Sequence, residues 1–267
     1  MKETLKELAP PPLLDTARSA WLAARHAALW PSATFHPWRR ASISRLAAYQ
    51  DAHYGQRCFI LGNGPSLAKT DTSKLKDEFT FGMNRVYLAF PKWGFTTTYF
   101  VSINDLVIEQ CAADIHALPI PKFLSWHARR FIQPTDDMMF LHTTYSGPKF
   151  SRNARKRLWE GATVTYVALQ LAFFMGFEQV ILIGVDHNFD SKGQPNTTVV
   201  SQGDDPDHFD SSYFGKGFRW QLPDLETSEQ AYLLARHAYK QARREVLDAT
   251  IGGNLTIFPK VEYHSLF

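Results

Sequence analysis

Cys58-Phe-Ile-Leu-Gly-Asn-Gly-Pro-Ser-Leu67 is the stretch that decides how this chain folds. The apolar run CFIL has the length of a buried strand, and it stops abruptly at Gly62-Asn63-Gly64-Pro65-Ser66, a turn composition that feeds a helix. Two glycines let backbone N–H groups come close to a ligand, and a helix start favours an anion. The stretch predicts a phosphate or nucleotide site at the carboxyl end of the first strand; a purely structural strand–helix turn is the alternative. A dinucleotide fingerprint is excluded because Leu67 stands at its third glycine, and a Walker loop ending at Lys69-Thr70 would need glycines where Asn63 and Ala68 sit.

Working outward, strands are expected over Cys58–Leu61, Phe79–Gly82, Thr98–Ser102, Lys122–Ser125, Met138–His142, Gln179–Ile183 and Leu255–Phe258. Helices are expected over Asp71–Lys76, Asp105–Leu118, Thr163–Met175 and Leu225–Glu245. Such alternation predicts an α/β fold: a mostly parallel sheet of Rossmann-like type with helices on both faces. Ligands of open α/β sheets bind beyond the carboxyl ends of the strands. Four strand ends carry suitable polar residues: Asn63, Asn84, Asn104-Asp105 and Asp186-His187. Each alone reads as an ordinary turn residue; four at one edge read as a site.

The segment from Phe189 to Pro223 shows no clean periodicity but is rich in aromatic residues, glycine and aspartate. It is expected to be a lid that orders over a ligand, against the simpler reading of a surface excursion. Its acidic run Asp204-Asp205-x-Asp207-x-x-Asp210 has the chemistry of a hard-cation site, although solvated loop charge is the commoner meaning, and no metal is expected.

Before the alternation begins, Pro10-Pro11-Pro12 marks a break, Leu13 to Trp30 reads as an amphipathic helix, and a second helix runs from about Arg40 to His53. Residues 1–54 are therefore expected to form an N-terminal helical appendage, and residues 55–267 the Rossmann-like ligand-binding domain, with the lid at about 189–223. The basic, tryptophan-bearing residues 1–50 suit peripheral contact with a membrane, or simple packing on the domain. With 267 residues, 45% hydrophobic and 21% charged, the chain can bury a sizeable core, and a net charge of +3 gives no case for nucleic acid as a partner. Cys58 and Cys111 are expected to be buried, reduced thiols of a cytoplasmic protein. The N-terminus has no signal-peptide pattern, and no apolar stretch is long enough to span a bilayer.

GNGPSL (62–67), FGMNR (81–85), SINDLVIEQ (102–110), EGATVTYVALQLAFFMGFEQVILIGVD (160–186) and HFDSSYFGKG (208–217) together resemble the MptE-like superfamily. That group includes Maf motility-associated glycosyltransferases and an archaeal pterin diphosphokinase, and is related to bacterial lipooligosaccharide sialyltransferases that use CMP-sialic acid. The resemblance covers roughly residues 55–260. It implies that Gly62, Asn63, Gly64, Pro65 and Ser66 lie at the nucleotide phosphate and ribose, that Asn84 and Asn104 with Asp105 contact the nucleotide or donor sugar, and that Gly161 to Thr163 hold a carboxylate or phosphate at a helix start. Gly184 and Asp186 would bind cytidine and ribose, with His187 next to them. The sialyltransferase motif resembles Tyr-x-Gly-His with the histidine as base; here Tyr213-Phe214-Gly215-Lys216 puts a lysine in that place. Lysine at its ordinary pKa is a poor base and a good phosphate partner. Lys216 and Tyr213 are thus expected at the leaving phosphate, and His208 as the base, with Asp207 and Asp210 as rivals.

The expected function is a glycosyltransferase passing a sialic-acid-like or Kdo-like sugar from a CMP-sugar donor to a cell-surface glycan or glycolipid acceptor, without a cofactor. The alternatives are an MptE-like diphosphokinase acting on a hydroxymethyl pterin with ATP and Mg²⁺, and a non-catalytic nucleotide-sugar-binding module. A cytoplasmic location, peripheral at the inner face of the cytoplasmic membrane, and a homo-oligomer complete the expectations.

Overall fold

The structure, a computed structural model, describes Ala24, Ala28 and residues 30–191 and 193–267. Among these, eight strands form one parallel sheet: β1 Arg57–Leu61, β2 Thr80–Met83, β3 Tyr99–Ser102, β4 Lys122–Ser125, β5 Met138–Thr144, β6 Arg157–Trp159, β7 Gln179–Ile183 and, after the β8–β9 hairpin of the long loop, β10 Glu245–Asp248. Their order is β10-β7-β1-β2-β3-β4-β5-β6. The chain walks outward from β1 to β6, then returns to the other side of β1 for β7 and β10. The reversal falls between β1 and β7, whose residues pair in step from Arg57 with Gln179 to Leu61 with Ile183. Parallel strands buried on both faces read as continuous apolar runs, which is why CFIL and VILI carry no alternation.

One face packs Cys58, Ile60, Phe81, Val101, Phe123, Val180 and Leu182 against a helix at Val164–Phe174. That helix is apolar almost all round and buried almost throughout, as expected of one sandwiched between sheet and a second helix, Leu225–Gln241. The other face packs Phe100, Leu124 and Phe140 against the helical residues 105–117, and Phe59, Leu61, Ile181 and Ile183 against the turns after β1. Among the described residues, residues 30–35 are helical, and the helices that follow are α1 Pro37–Ala47, α2 Phe90–Trp93, α3 Asp105–Gln110, α4 Ala112–Ala117, α5 Val164–Phe174 and α6 Leu225–Gln241.

Several expectations change here. The helix forecast from Arg40 begins at Pro37 and ends at Ala47, giving way to turns. It packs along the side of β5 that β6 leaves unpaired: the Phe140 amide donates to Ser42 Oγ at 3.0 Å, and Arg45 Nη1 donates to the Thr135 and Met138 carbonyls at 2.9 and 3.3 Å. An open strand edge is thereby covered by a helix. The helix forecast over Leu13–Trp30 lies almost wholly outside the described residues. Asp71–Lys76 is a single 3₁₀ turn at Thr72–Leu75. Leu255–Phe258 is not a strand: Leu255 and Phe258 plug into the core from a loop. The last strand is Glu245–Asp248, which the helical forecast had partly absorbed; Arg243 turns left-handed (φ 59°) and ends the helical path first. Both cysteines are free and buried. No helix among the described residues is long and apolar enough to cross a membrane.

Candidate functional site

The ends of β1 and β7 meet closely. The Gly62 amide donates to the Ile183 carbonyl at 2.7 Å and the Gly64 amide to that of Gly184 at 2.9 Å. A Cβ on Gly62 would stand 2.2 Å from the Gly184 carbonyl oxygen, and one on Gly64 1.9 Å from Asp186 Oδ2. Here glycine is a requirement of close approach. The Ser66 amide and hydroxyl both donate to the Asp186 carboxylate, at 3.1 and 2.7 Å. This alters the expectation for the first loop. The donors of Gly62, Gly64 and Ser66 are engaged by the end of β7, Pro65 has none to offer, and a carboxylate already occupies the turn where a phosphate was expected. Pro65 and Ser66 stand behind the site rather than lining it.

Above these strand ends lies a cleft of about 580 Å³. Its wall includes Gly62, Asn63, Gly64, Asn84, Asn104, Asp105, Thr163, Gly184, Asp186, His187, His208 and Tyr213, bringing most of the expected site residues together at the topological switch point. Asn63 Nδ2 donates to the Met83 carbonyl at 3.1 Å, leaving a buried Oδ1 without a partner. Asn84, in the left-handed region (φ 52°), accepts from Ser102 Oγ at 3.0 Å through Oδ1, which leaves its amide donors for a ligand. Asn104 is used differently. Its Oδ1 caps α3 by accepting the Leu106 and Val107 amides, while Nδ2 reaches Gln221 of the long loop at 3.4 Å. Asp105 pairs with Arg130 at 2.9 Å.

At the other wall, Gly161 and Ala162 are both left-handed (φ 52° and 58°). Gly161 lies under Ala231 and Tyr166, where a Cβ would meet each at 2.5 Å, so it supports the turn without lining the cleft. Thr163 caps α5 by accepting the Thr165 amide at 3.3 Å, and residues 162–165 present the start of this eleven-residue helix to the cleft. His187, also left-handed (φ 54°), is tied through Nε2 to Glu229 Oε1 at 2.9 Å.

The long loop is closed over the cleft. It forms a hairpin of β8 Thr198–Val200 with β9 Arg219–Gln221. It is fastened by the Phe209 amide on the Asn63 carbonyl (2.9 Å), by reciprocal bonds between Gln110 and the Arg219 backbone (2.8 and 2.9 Å), and by Arg85, whose guanidinium donates to the Ser212 and Tyr213 carbonyls. The acidic run holds the loop's own fold together. Asp207 accepts the Asp190 amide and Ser191 hydroxyl, both at 2.6 Å, and Asp210 accepts the amide and hydroxyl of Ser212. Asp205 accepts from His208 Nδ1 at 2.8 Å and from the amides of Asp207 and Phe214. Burial pushes the Asp205 carboxyl up, but these hydrogen bonds outweigh it and hold it below the ordinary value.

Two of the expected phosphate partners are placed otherwise. Lys216 is exposed and does not line the cleft. Tyr213 is fully buried; its hydroxyl accepts the Arg85 amide at 3.3 Å, and burial drives its pKa far above the ordinary phenol. Its ring serves as a shelf on which His208 stacks, 4.0 Å between centroids and 6° from parallel.

Ser125, His127, Thr143, Thr144, Tyr145 and Glu160 also line the cleft and were not foreseen. The signal was present in His142-Thr-Thr-Tyr145, a polar run at the end of the apolar strand MMFL. Tyr145 donates to Asn196 Oδ1 at 2.9 Å and Asp224 Oδ2 at 3.1 Å, and burial raises its pKa to about 12. Among the described residues, no lysine or arginine lines the cleft.

No curated protein matches this chain. A solved structure similar in fold is the MAf glycosyltransferase from Magnetospirillum magneticum AMB-1, with a TM-score of 0.51 and 16% identity over 97% of this chain. The match spans 43% of that protein's length. The family model described as 6-hydroxymethylpterin diphosphokinase MptE-like matches residues 38–192, from α1 to the start of the long loop. That is more than half of the sequence and includes the turns from β1, β2 and β7 that build the cleft floor, so the chain belongs to the MptE-like family.

Proposed function

We propose that this protein is a glycosyltransferase that moves an acidic sugar, sialic-acid-like or Kdo-like, from a CMP-sugar donor to a cell-surface glycan or glycolipid acceptor. The observation that carries this reading is the make-up of the cleft wall. Asn63, the side-chain amide of Asn84 and the ring of His208 converge on a space that, among the described residues, no lysine or arginine lines. A nucleoside triphosphate brings several more negative charges than a phosphodiester. It would face Asp105, Glu160, Asp186, Asp207 and Asp224 with no lysine or arginine among the described lining residues to meet it. A single phosphodiester suits the start of α5, with the hydroxyls of Thr163 and Thr165 beside it.

In the reaction, a lone pair of the acceptor hydroxyl oxygen forms the new bond to the anomeric carbon. The bond from that carbon to the phosphate oxygen breaks, its electron pair leaving with CMP. The hydroxyl proton passes to His208 Nε2, and the closed loop excludes water that would hydrolyse the donor. The family description favours a second reading, transfer of pyrophosphate from ATP to a hydroxymethyl pterin. That chemistry needs Mg²⁺, which one or two carboxylates together with the substrate phosphates suffice to hold; among the described residues no three acidic, histidine or cysteine side chains are grouped for a metal, and the two readings part on the nucleotide that binds.

Thermal shift against CMP, CDP, UDP, GDP and ATP with Mg²⁺ separates the two readings. Cytidine nucleotides are expected to raise the melting temperature; stabilisation by ATP with Mg²⁺ alone would overturn the proposal. Hydrolysis of a CMP-sugar donor should be lost in Asn84→Ala and in His208→Ala. Peripheral membrane contact through residues 1–50 and assembly into a homo-oligomer are part of the same proposal. Liposome flotation of the full chain against a chain lacking residues 1–29 tests the first, and light scattering the second.

A further inference from the structure

We infer that Asp205 is a positioning residue that fixes the tautomer and aim of His208; this rests on the glycosyl-transfer reading above. The two side chains form a closed unit, 5% and 12% exposed, joined by the 2.8 Å contact between Oδ2 and Nδ1. Asp205 cannot swing away. Its Oδ1 accepts the Asp207 amide at 2.9 Å, its Oδ2 also accepts the Phe214 amide at 3.0 Å, and its own amide donates to the Ser211 carbonyl at 2.8 Å. The imidazole is held in plane as well, stacked on Tyr213 and edge-on to Phe214 at 4.8 Å. Tyr213 is in turn fastened to the sheet by Arg85.

The consequence is chemical. A carboxylate only accepts, so Nδ1 must carry the proton, and in the neutral ring Nε2 is left with a bare lone pair. Nε2 makes no hydrogen bond among the described residues, and the ring lines the cleft. A base with one nitrogen aimed at the reacting hydroxyl and the other held by a buried carboxylate is the arrangement that nucleophile activation requires. When the acceptor proton arrives at Nε2, the imidazolium forms against the Asp205 charge. Asp207, Asp210, Tyr213 and, beyond Tyr213, Cys111 and Arg85 are titratable or charged groups of the segments packed around this pair.

The test is two-bond ¹H–¹⁵N spectroscopy of the histidine rings in the full chain, with His208 assigned by His208→Gln. The wild-type neutral ring is expected to be protonated at Nδ1; protonation at Nε2 overturns the inference without any variant. In Asp205→Asn, that tautomer should give way to a mixture. With a CMP-sugar donor, kcat should fall on the order of 10²-fold with KM nearly unchanged, and Asp205→Glu should recover part of the loss. Retention of the Nδ1–H tautomer and of kcat in Asp205→Asn would overturn the role. Should no CMP-sugar be used by the wild type, the functional reading falls, while the ring spectra still decide whether Asp205 sets the tautomer.

Discussion

The Asp186 carboxylate clasps Ser66, taking the backbone amide with one oxygen at 3.1 Å and the hydroxyl with the other at 2.7 Å, and so joins β7 to the turn after β1. Asp186→Ala should lower stability by about 1–3 kcal/mol, because two donors of the buried Ser66 lose their acceptor. Urea unfolding measures this. In the same variant, sulfate should stabilise more than it does in the wild type, since the vacated turn can then accept an anion.

Gly62→Ala and Gly64→Ala test the closeness of the two strand ends. Both introduce a Cβ under 2.5 Å from existing atoms, and each should cost about 3 kcal/mol or more. Gly203→Ala meets nothing within 4 Å and should be neutral within about 0.5 kcal/mol. Thermal melts of the three variants side by side give the comparison.

Lys122 is a buried ammonium at the start of β4, 1% exposed, bonded to the Leu118 and Ile120 carbonyls and paired with Asp137. Burial pushes the Asp137 carboxyl up, but hydrogen bonds from Lys122 and Thr135 hold it below the ordinary value. A depressed carboxyl contributes stability that is present above the unfolded pKa of about 3.9 and is lost as pH falls through the lower folded value. Asp137→Asn should therefore cost about 3 kcal/mol at pH 7, the low end for a broken buried pair because Asp137 is partly solvated. It should also flatten the acid side of the stability profile, read by urea melts from pH 2 to 7.

Arg85 is the main fastener of the lid, donating to two of its carbonyls, with its guanidinium carbon 5.2 Å from the Phe218 ring centroid. Arg85→Ala should raise the rate of proteolytic cleavage within residues 189–223 about tenfold, the population change expected from about 1.4 kcal/mol of local stability. The global melting temperature should move by only a few degrees.

Much of this arrangement was legible in the residues. Apolar runs that stop at a polar or glycine residue located β1, β4 and β7, and with them the edge of the sheet where the cleft opens. Asn84 was recognisable because an asparagine directly after a strand tolerates the left-handed turn found there. What could not be read was the partner each polar group takes. Asp186 looked like a ligand contact, yet it reaches a serine 120 positions away in sequence. Asn104 has the pattern of a site residue and the geometry of a helix cap. The acidic run resembled a cation site, but Asp205, Asp207 and Asp210 accept hydrogen bonds from amides of the loop itself, two of them only two residues on. Three-residue strands such as Arg157–Trp159 are too short to carry a period, so the sheet's last strand stayed invisible.

The docking of α1 on β5 has a consequence for how this protein can be divided. A fragment starting at residue 55 would bare the flank of Met138–Leu141, and neighbouring molecules would find there a ready template for ribbon growth. Solubility, and not only stability, thus depends on Pro37–Ala47 remaining attached.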